Sequence, residues 1–175
     1  MNAAKAYRMY VAAAGNLDQG AAGSMQTGLA VVNRSTSTAT VTVDLFRPDG
    51  SFTGFTGSLL VPPGGQTVKF LSQIPGLELL ALPFAGVARV SSPSEISVMG
   101  LRGRYNERND FLITTTPPIE EASVATDANL VFPHFARGGG YTTQFVLFSG
   151  AGEQPSSGSV RFLSQSGEPI NLELQ

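Results

Sequence analysis

The chain has 175 residues, of which 42% are hydrophobic and 14% are charged, and its formal net charge is −2. This balance is typical of a globular protein and excludes a disordered one, and without a basic excess nucleic acid is not an expected partner. Cysteine is absent, which excludes disulfides and thiolate metal sites.

The pattern of apolar residues predicts many short strands rather than helices. Gly and Pro are frequent, at 20 and 11 residues, and they separate apolar runs at strand spacing. Alternation predicts that Val41, Val43 and Leu45 face the core, and likewise Val68 and Phe70. We predict strands over Tyr7–Ala13, Thr27–Asn33, Thr40–Phe46, Phe52–Val61, Gln66–Leu71, Ala85–Ser91, Glu95–Gly103 and Phe111–Thr115.

The segments between these strands carry turn chemistry. Ser92-Pro93-Ser94 predicts a turn between two strands, and Leu71–Leu82 allows one helical turn, which Pro75 and Gly76 keep short. Strands about ten residues apart with turns between them are typical of a sandwich or barrel. We therefore predict an all-β fold, an immunoglobulin-like antiparallel β-sandwich.

A hairpin pattern occurs twice and suggests an internal repeat. In Leu29–Gly50 and Val146–Gly167 a short apolar strand is followed by a polar turn, a second strand and a tight turn. We predict about one and a half tandem units. The first spans residues 1–118 and ends at Pro117-Pro118; the second spans residues 119–175 and begins with a solvated acidic pair, Glu120-Glu121.

The second unit is predicted to be incomplete, because the chain stops before its sheets are finished. Its predicted strands are Asn129–Ala136, Thr143–Phe148, Gly158–Ser164 and the start of a fourth at Ile170–Leu174. The apolar run near the N-terminus is too short for a signal peptide, and none is long enough to span a bilayer. Either the protein is not exported, or the sequence is a mature fragment of an exported protein with an added start methionine. We expect the second, with no membrane insertion.

Several phrases of the sequence carry a resemblance to a known class of module. They are TGLAVVN (Thr27–Asn33), the turn Pro62–Gly65, GLRGRYNERNDFLITTTPP (Gly100–Pro118) and VFPHFARGGGYTTQFVLF (Val131–Phe148). Their order resembles tandem β-sandwich modules of large secreted or surface-attached bacterial proteins. The resemblance implies an extracellular or cell-surface location and a spacer, adhesion or assembly role, and it implies no catalytic residue, cofactor or metal.

The nearest pattern to a binding surface is a basic hairpin. Arg102, Arg104, Tyr105 and Arg108 are close together, and Arg102 and Arg104 continue the face of Ile96, Val98 and Gly100. The arginines could pair with Glu107 or Asp110, or bind an acidic glycan. A solvated, salt-bridged hairpin is the simpler interpretation.

Other candidate sites favour structural interpretations. A catalytic triad or metal site at His134, the single histidine, would need partners placed around it, and no nucleophile elbow of the Gly-x-Ser-x-Gly kind occurs, so we predict a structural or surface histidine. The cluster Asn106, Glu107, Asn109 and Asp110 is interrupted by Arg108 and favours a turn over a calcium loop. Gly138–Gly140 lacks the residues of a phosphate-binding loop. We predict no enzyme activity.

Two functional hypotheses follow. The first is a structural or adhesive module whose unfinished second unit is completed by another copy or a neighbouring module of the same parent protein, giving a surface filament. The second is a glycan-binding accessory module of a secreted protein or enzyme, with the Arg102–Asp110 hairpin at its edge and polysaccharide as its partner.

Overall fold

The protein is all-β, as predicted. The structure, a computed structural model, describes residues 3–123, 130–136, 138–139, 143–147 and 159–171. Eight antiparallel strands form one curled sheet, followed by a two-stranded hairpin. The strands are β1 (Ala4–Ala14), β2 (Met25–Asn33), β3 (Ala39–Phe46), β4 (Phe52–Val61), β5 (Gln66–Phe70), β6 (Phe84–Tyr105), β7 (Phe111–Thr116), β8 (Ile119–Glu120), β9 (Phe162–Leu163) and β10 (Pro169–Ile170).

Strand β6 is 22 residues long and organises the sheet. Its first half pairs with β1 and β3, and its second half pairs with β2 and β7. The prediction of two strands separated by a turn at Ser92–Ser94 is therefore wrong. Against β1 the register shifts between Ser91 and Ile96, and such an irregularity accommodates Pro93, which has no N–H to donate to a ladder.

The core lies inside the curl of the sheet. Val41, Val43 and Leu45 of β3 are fully buried, as their alternation predicts. Met9, Val11, Leu29, Val31, Val90, Ile96 and Val98 join them from β1, β2 and β6. The predicted helical turn is a 3-10 turn over Leu71–Gln73. It begins a segment that covers one end of the core with three buried side chains, those of Leu71, Ile74 and Leu77.

The predicted orientation of β5 is wrong. Val68 lies opposite Ala30, and Phe70 opposite Gly28. Opposite residues in a ladder point to the same face, and Leu29 of β2 points inward, so Val68 and Phe70 point outward. Val68 is accordingly exposed. The alternation of apolar residues in β5 does not show which face of β5 points to the core, because its pairing with β2 decides this.

The first sheet continues past the boundary predicted after residue 118. Strand β8 pairs with β1, with Ile119 opposite Arg8 and Glu120 opposite Tyr7. The backbone N–H of Glu121 also donates to the carbonyl of Ala6, at 2.9 Å. Residues 119–121 therefore belong to the first sheet. The division of the chain into two repeated units stays a prediction.

Later predicted strands are only partly recovered. The described residues of Asn129–Ala136 and Thr143–Phe148 do not form strands, so those two predictions are wrong there. The predicted strand Gly158–Ser164 contains β9. The predicted strand Ile170–Leu174 begins at the last residue of β10; Asn171 is not in a strand, and residues 172–174 lie outside the described residues. Aromatic contacts join these segments, with ring centroids 4.7 Å apart in Phe132–Phe145. No helix in the described part of the chain is long and apolar enough to cross a membrane.

Candidate functional site

The four residues of the predicted basic hairpin lie at the end of β6 and in the turn that follows. Arg102 and Arg104 are exposed on one face of β6, Tyr105 is half-buried, and Arg108 is exposed in the turn. Arg104 pairs with Glu107 at 2.6 Å. Arg102 donates from Nη2 to the sulfur of Met25 at 3.2 Å. In the described part of the chain, no carboxylate forms a salt bridge with Arg102, so its charge is not neutralised locally.

The oxygen-rich cluster in this hairpin is a turn. Asn106 Oδ1 accepts hydrogen bonds from the backbone N–H groups of Arg108 and Asp110, at 2.9 and 2.8 Å. Its Nδ2 donates to Asp110 Oδ2 at 3.0 Å. Asn109 takes a positive φ of 65°, which asparagine tolerates. Among the described residues, no group of three or more His, Asp or Glu could hold a metal ion.

A groove of about 440 Å³ runs beside Arg102 and Arg104. It forms because cross-strand neighbours point to the same face: Arg104 lies between Met25 and Leu112, and Arg102 lies beside Thr114. Ala14 and Gly23 complete its lining. The groove therefore combines an apolar wall with one arginine that has no anionic partner there.

The opposite face of the same strands is apolar and partly exposed. Phe70 lies over Gly28, and both Phe70 and Phe111 approach Gly103, where an added Cβ would be 3.0 Å from each ring. The rings of Tyr105 and Phe111 are 5.1 Å apart. Glycine at these positions leaves room for aromatic rings to lie across the sheet. We call this surface the outer aromatic face.

Strand β7 leaves one of its edges unpaired in the described part of the chain. It pairs with β6 alone, and the hydrogen bond from Asn106 N to Asp110 O, at 3.1 Å, sets the alternation of that ladder. The backbone groups of Leu112, Thr114 and Thr116 then point to β6. Those of the alternate residues, Phe111, Ile113 and Thr115, point away from it.

The backbone of Tyr105 confirms this alternation. Its N–H donates to Ser24 O at 3.0 Å, and its carbonyl accepts from Gly23 N at 2.9 Å. The polar groups of Tyr105 therefore face the β2 side, and those of its neighbour Phe111 must face the open edge. Phe111, Leu112 and Ile113 are 46, 49 and 56% exposed, so this edge is apolar as well as unpaired.

The other edges of the sheet have features that discourage pairing with another chain. Strand β4 contains Gly54 with a φ of 88°, and its register against β3 shifts between Asp44 and Phe46. Strand β5 is five residues long and carries Lys69, and β8 has two residues. The six residues of β7 include no charge, proline or register shift.

One ionic cluster in the structure, centred on Glu121, was not predicted from the sequence. Glu121 accepts hydrogen bonds from Arg8 Nε at 2.9 Å and from Arg89 Nη2 at 2.8 Å, and its side chain is 13% exposed. The predicted solvation of this residue is therefore wrong. Arg89, and then Arg8, hold the pKa of its carboxyl below the ordinary 4.5 by hydrogen bonding, while partial burial opposes them. The sole sequence signal is an arginine within each of two apolar strands.

We expect Glu121→Gln to lower the free energy of unfolding by about 1–2 kcal/mol at neutral pH, since two arginines lose their shared carboxylate. The folded-state pKa lies below the unfolded one, so this stabilisation is complete above about pH 4.5 and disappears as the pH falls through the lowered pKa. Urea unfolding of both proteins between pH 3 and 7 measures the difference. A pH-independent difference would contradict the ionic origin.

Among the residues that the structure describes, the remaining sequence candidates have no contact that points to a site. His134 is exposed. Gly138 and Gly139 have positive φ values of 107° and 60°, which agrees with a turn, while Gly140 lies outside the described residues. These positions therefore add nothing to the hairpin and the β7 edge.

Comparisons with known proteins do not identify a family for this chain. No model of a protein family matches the chain, and no curated protein matches it. A solved crystal structure of Thermotoga maritima 1070 is similar with a TM-score of 0.47 and 15% sequence identity, over 69% of this chain and 97% of the other. At that TM-score the similarity carries no argument about architecture or activity.

Proposed function

We propose that the chain is a non-catalytic, immunoglobulin-like module of an extracellular or cell-surface protein, which acts as a structural or adhesive subunit. Its mode of action is strand addition: a β-strand of another chain completes its open sheet, and repeated contacts build a filament. The observation that carries the proposal is the open edge of β7, which is uncharged, apolar and free of proline.

The physical argument rests on what an open edge does. Unpaired N–H and C=O groups in a row form a template for another strand, and most proteins protect such edges. Here β4 has a register shift, β5 carries a lysine and β8 is very short, whereas nothing in the described part of the chain protects the edge of β7. An edge retained without protection is suited to pairing between chains.

The resemblance of the sequence to tandem surface modules supports the same proposal. It supplies the expected location and the expected partners, which are other copies of the chain or neighbouring modules of one parent protein. A contact that does not close on itself would then extend into a filament.

We expect the purified protein to form oligomers and Ile113→Lys to shift them towards the monomer, because a lysine on β7 repels a second strand. Light scattering over a range of concentrations, with electron microscopy of the same samples, measures this shift. Leu60→Lys on β4 is the matched control, since Leu60 is 69% exposed and lies on a protected edge. A wild-type protein that stays monomeric at all concentrations would refute strand addition.

A second candidate function is binding of acidic polysaccharide in the groove beside Arg102. The observation that favours it is Arg102, which forms no salt bridge with the described residues and lies next to the apolar wall formed by Met25 and Leu112. A guanidinium binds the carboxylate of an acidic sugar through paired hydrogen bonds. Apolar side chains can contact the less polar face of the same sugar.

For this candidate we expect Arg102→Ala to weaken binding of polygalacturonate by about tenfold, which corresponds to the loss of one charge-assisted contact. Affinity electrophoresis and calorimetry with defined oligosaccharides measure it. Arg34→Ala is the control, since Arg34 is also exposed but lies outside the groove. Equal losses in both variants, or no binding by the wild type, would remove this candidate.

A further inference from the structure

We infer that β7 pairs with β7 of a second copy of this chain, antiparallel and centred on Ile113, to form a two-fold symmetric dimer with a continuous sheet. This inference rests on the proposed function, and it names the partner and the register for strand addition. It starts from the three residues whose backbone groups face the open edge, Phe111, Ile113 and Thr115.

Symmetry limits the possible registers. In an antiparallel pair, two opposite residues point to the same face of the sheet. When the two strands are copies related by a two-fold axis perpendicular to the sheet, the numbers of two opposite residues must therefore differ by an even number. With Ile113 opposite its own copy, Phe111 lies opposite Thr115 in both directions. Each of these pairs exchanges two hydrogen bonds, so all six outward backbone groups of one copy find partners on the other.

Neighbouring registers satisfy fewer groups. Centring the pair on Thr114 places Phe111 opposite Pro117, which has no N–H to donate. Centring it on Leu112 places Thr115 opposite Asn109, whose φ of 65° lies outside the extended range. The register centred on Ile113 is therefore the one that uses the whole edge.

The side chains are compatible with the same register. On the outer aromatic face, Ile113 contacts its copy and Phe111 lies beside Thr115 of the other chain; on the groove face, Leu112 lies beside Thr114. No charged residue faces another, because Asp110 lies opposite Thr116. Apolar and β-branched pairs of this kind stabilise sheets. They cover the three side chains that are about half exposed in the single chain.

The dimer is expected to be concentration-dependent. A six-residue edge with its flanking side chains is small beside the interfaces of permanent complexes. The contact is also isologous, so it closes after two copies, and a filament needs a second contact elsewhere on the chain. Capture by a covalent bond therefore tests the register better than mass alone.

Cysteine crosslinking provides that test, because the full chain has no cysteine of its own. In the inferred dimer the two Cα atoms of residue 113 are about 5.5 Å apart, within the range of a disulfide. Ile113→Cys is expected to form disulfide-linked dimers on mild oxidation. Thr115→Cys is the matched control, since its two copies are four residues out of register, an offset of about 13 Å along the strands. An equimolar mixture of Phe111→Cys and Thr115→Cys should form the mixed disulfide.

The outcomes separate this inference from the proposed function. Crosslinking of Ile113→Cys and of the mixture, but not of Thr115→Cys alone, supports the inferred dimer. If the protein forms oligomers but Thr115→Cys or Leu60→Cys crosslinks instead, the inferred register is wrong. The register is also wrong if oligomers form and none of the variants crosslinks. Both outcomes leave strand addition in place. A wild-type chain that remains monomeric overturns both. Circular dichroism of each variant checks that the sheet is retained.

Discussion

Asn33→Ala is expected to lower the free energy of unfolding by about 3 kcal/mol, because it leaves several backbone groups without partners. Asn33 is fully buried. Its Nδ2 donates to the carbonyls of Ser37, Val61 and Pro62 at 2.7–3.2 Å, and its Oδ1 accepts from Ser35 N at 2.9 Å. One side chain thus holds the β2–β3 loop to the end of β4. Urea unfolding followed by circular dichroism measures the loss.

The same loop supplies the control for this prediction. Thr36 is exposed, so Thr36→Ala should change the free energy of unfolding by less than about 0.5 kcal/mol. Asn33→Asp should be destabilising as well, since a carboxylate keeps the acceptor but loses both donors. An Asn33→Asp variant with an unchanged free energy of unfolding would mean that the carbonyls of Val61 and Ser37 find other donors. The side chain of Asn33 would then not be what holds the β2–β3 loop to the end of β4.

Gly57→Ala is expected to cost about 2 kcal/mol by overpacking the core. Gly57 is buried on β4, directly beneath the segment that follows the 3-10 turn. A Cβ added there would lie 2.6 Å from Ile74 Cγ2 and 2.9 Å from Leu77 Cγ. The backbone must shift or these side chains must leave their packed positions. Thermal and urea unfolding of the variant give the cost.

A double-mutant cycle gives this prediction a sharper form. Leu77→Ala alone should cost about 3 kcal/mol through the cavity it creates. The loss of unfolding free energy in the double variant Gly57→Ala/Leu77→Ala should be smaller than the sum of the two single losses by about 1 kcal/mol. The reason is that the new methyl group enters the space that Leu77 vacates. Ser58→Ala, on the exposed side of β4, controls for β-propensity. Strict additivity of the two core changes would show that the contact is not the cause.

Local alternation was enough to predict much of the first sheet. In Thr40–Phe46, one buried face repeats every second residue, so both the strand and its inward residues followed from the sequence. Three further predicted strands lie within observed ones, namely Tyr7–Ala13, Thr27–Asn33 and Phe111–Thr115. The first prediction rests on aromatic and β-branched content, and the second on apolar residues along both faces. The pairing of strands could not be predicted in this way, because the residues of one strand do not specify which strand lies beside it.

Two of the errors come from strand pairing. Ser92-Pro93-Ser94 has the composition of a turn, yet the chain remains extended there because β6 is held by different partners before and after it. Val68 faces outward because β2 sets the face of β5. The groove beside Arg102 likewise depends on Met25 and Leu112, which only strand pairing brings alongside. The basic hairpin was predicted as a set of residues, and its environment was not.

The central position of β6 also has a consequence for the order of folding. Strands β1, β2 and β3 each pair with β6, and the most distant of these pairs along the chain, Ala4 with Ile96, brings together residues far apart in the sequence. Such long-range pairings close large loops and slow the search for the native state. A growing chain can form the local β3–β4 hairpin early. Strands β1, β2 and β3 otherwise lack their common partner β6, and β7 and β8 follow it, so the sheet is completed only after the ribosome has released Glu120.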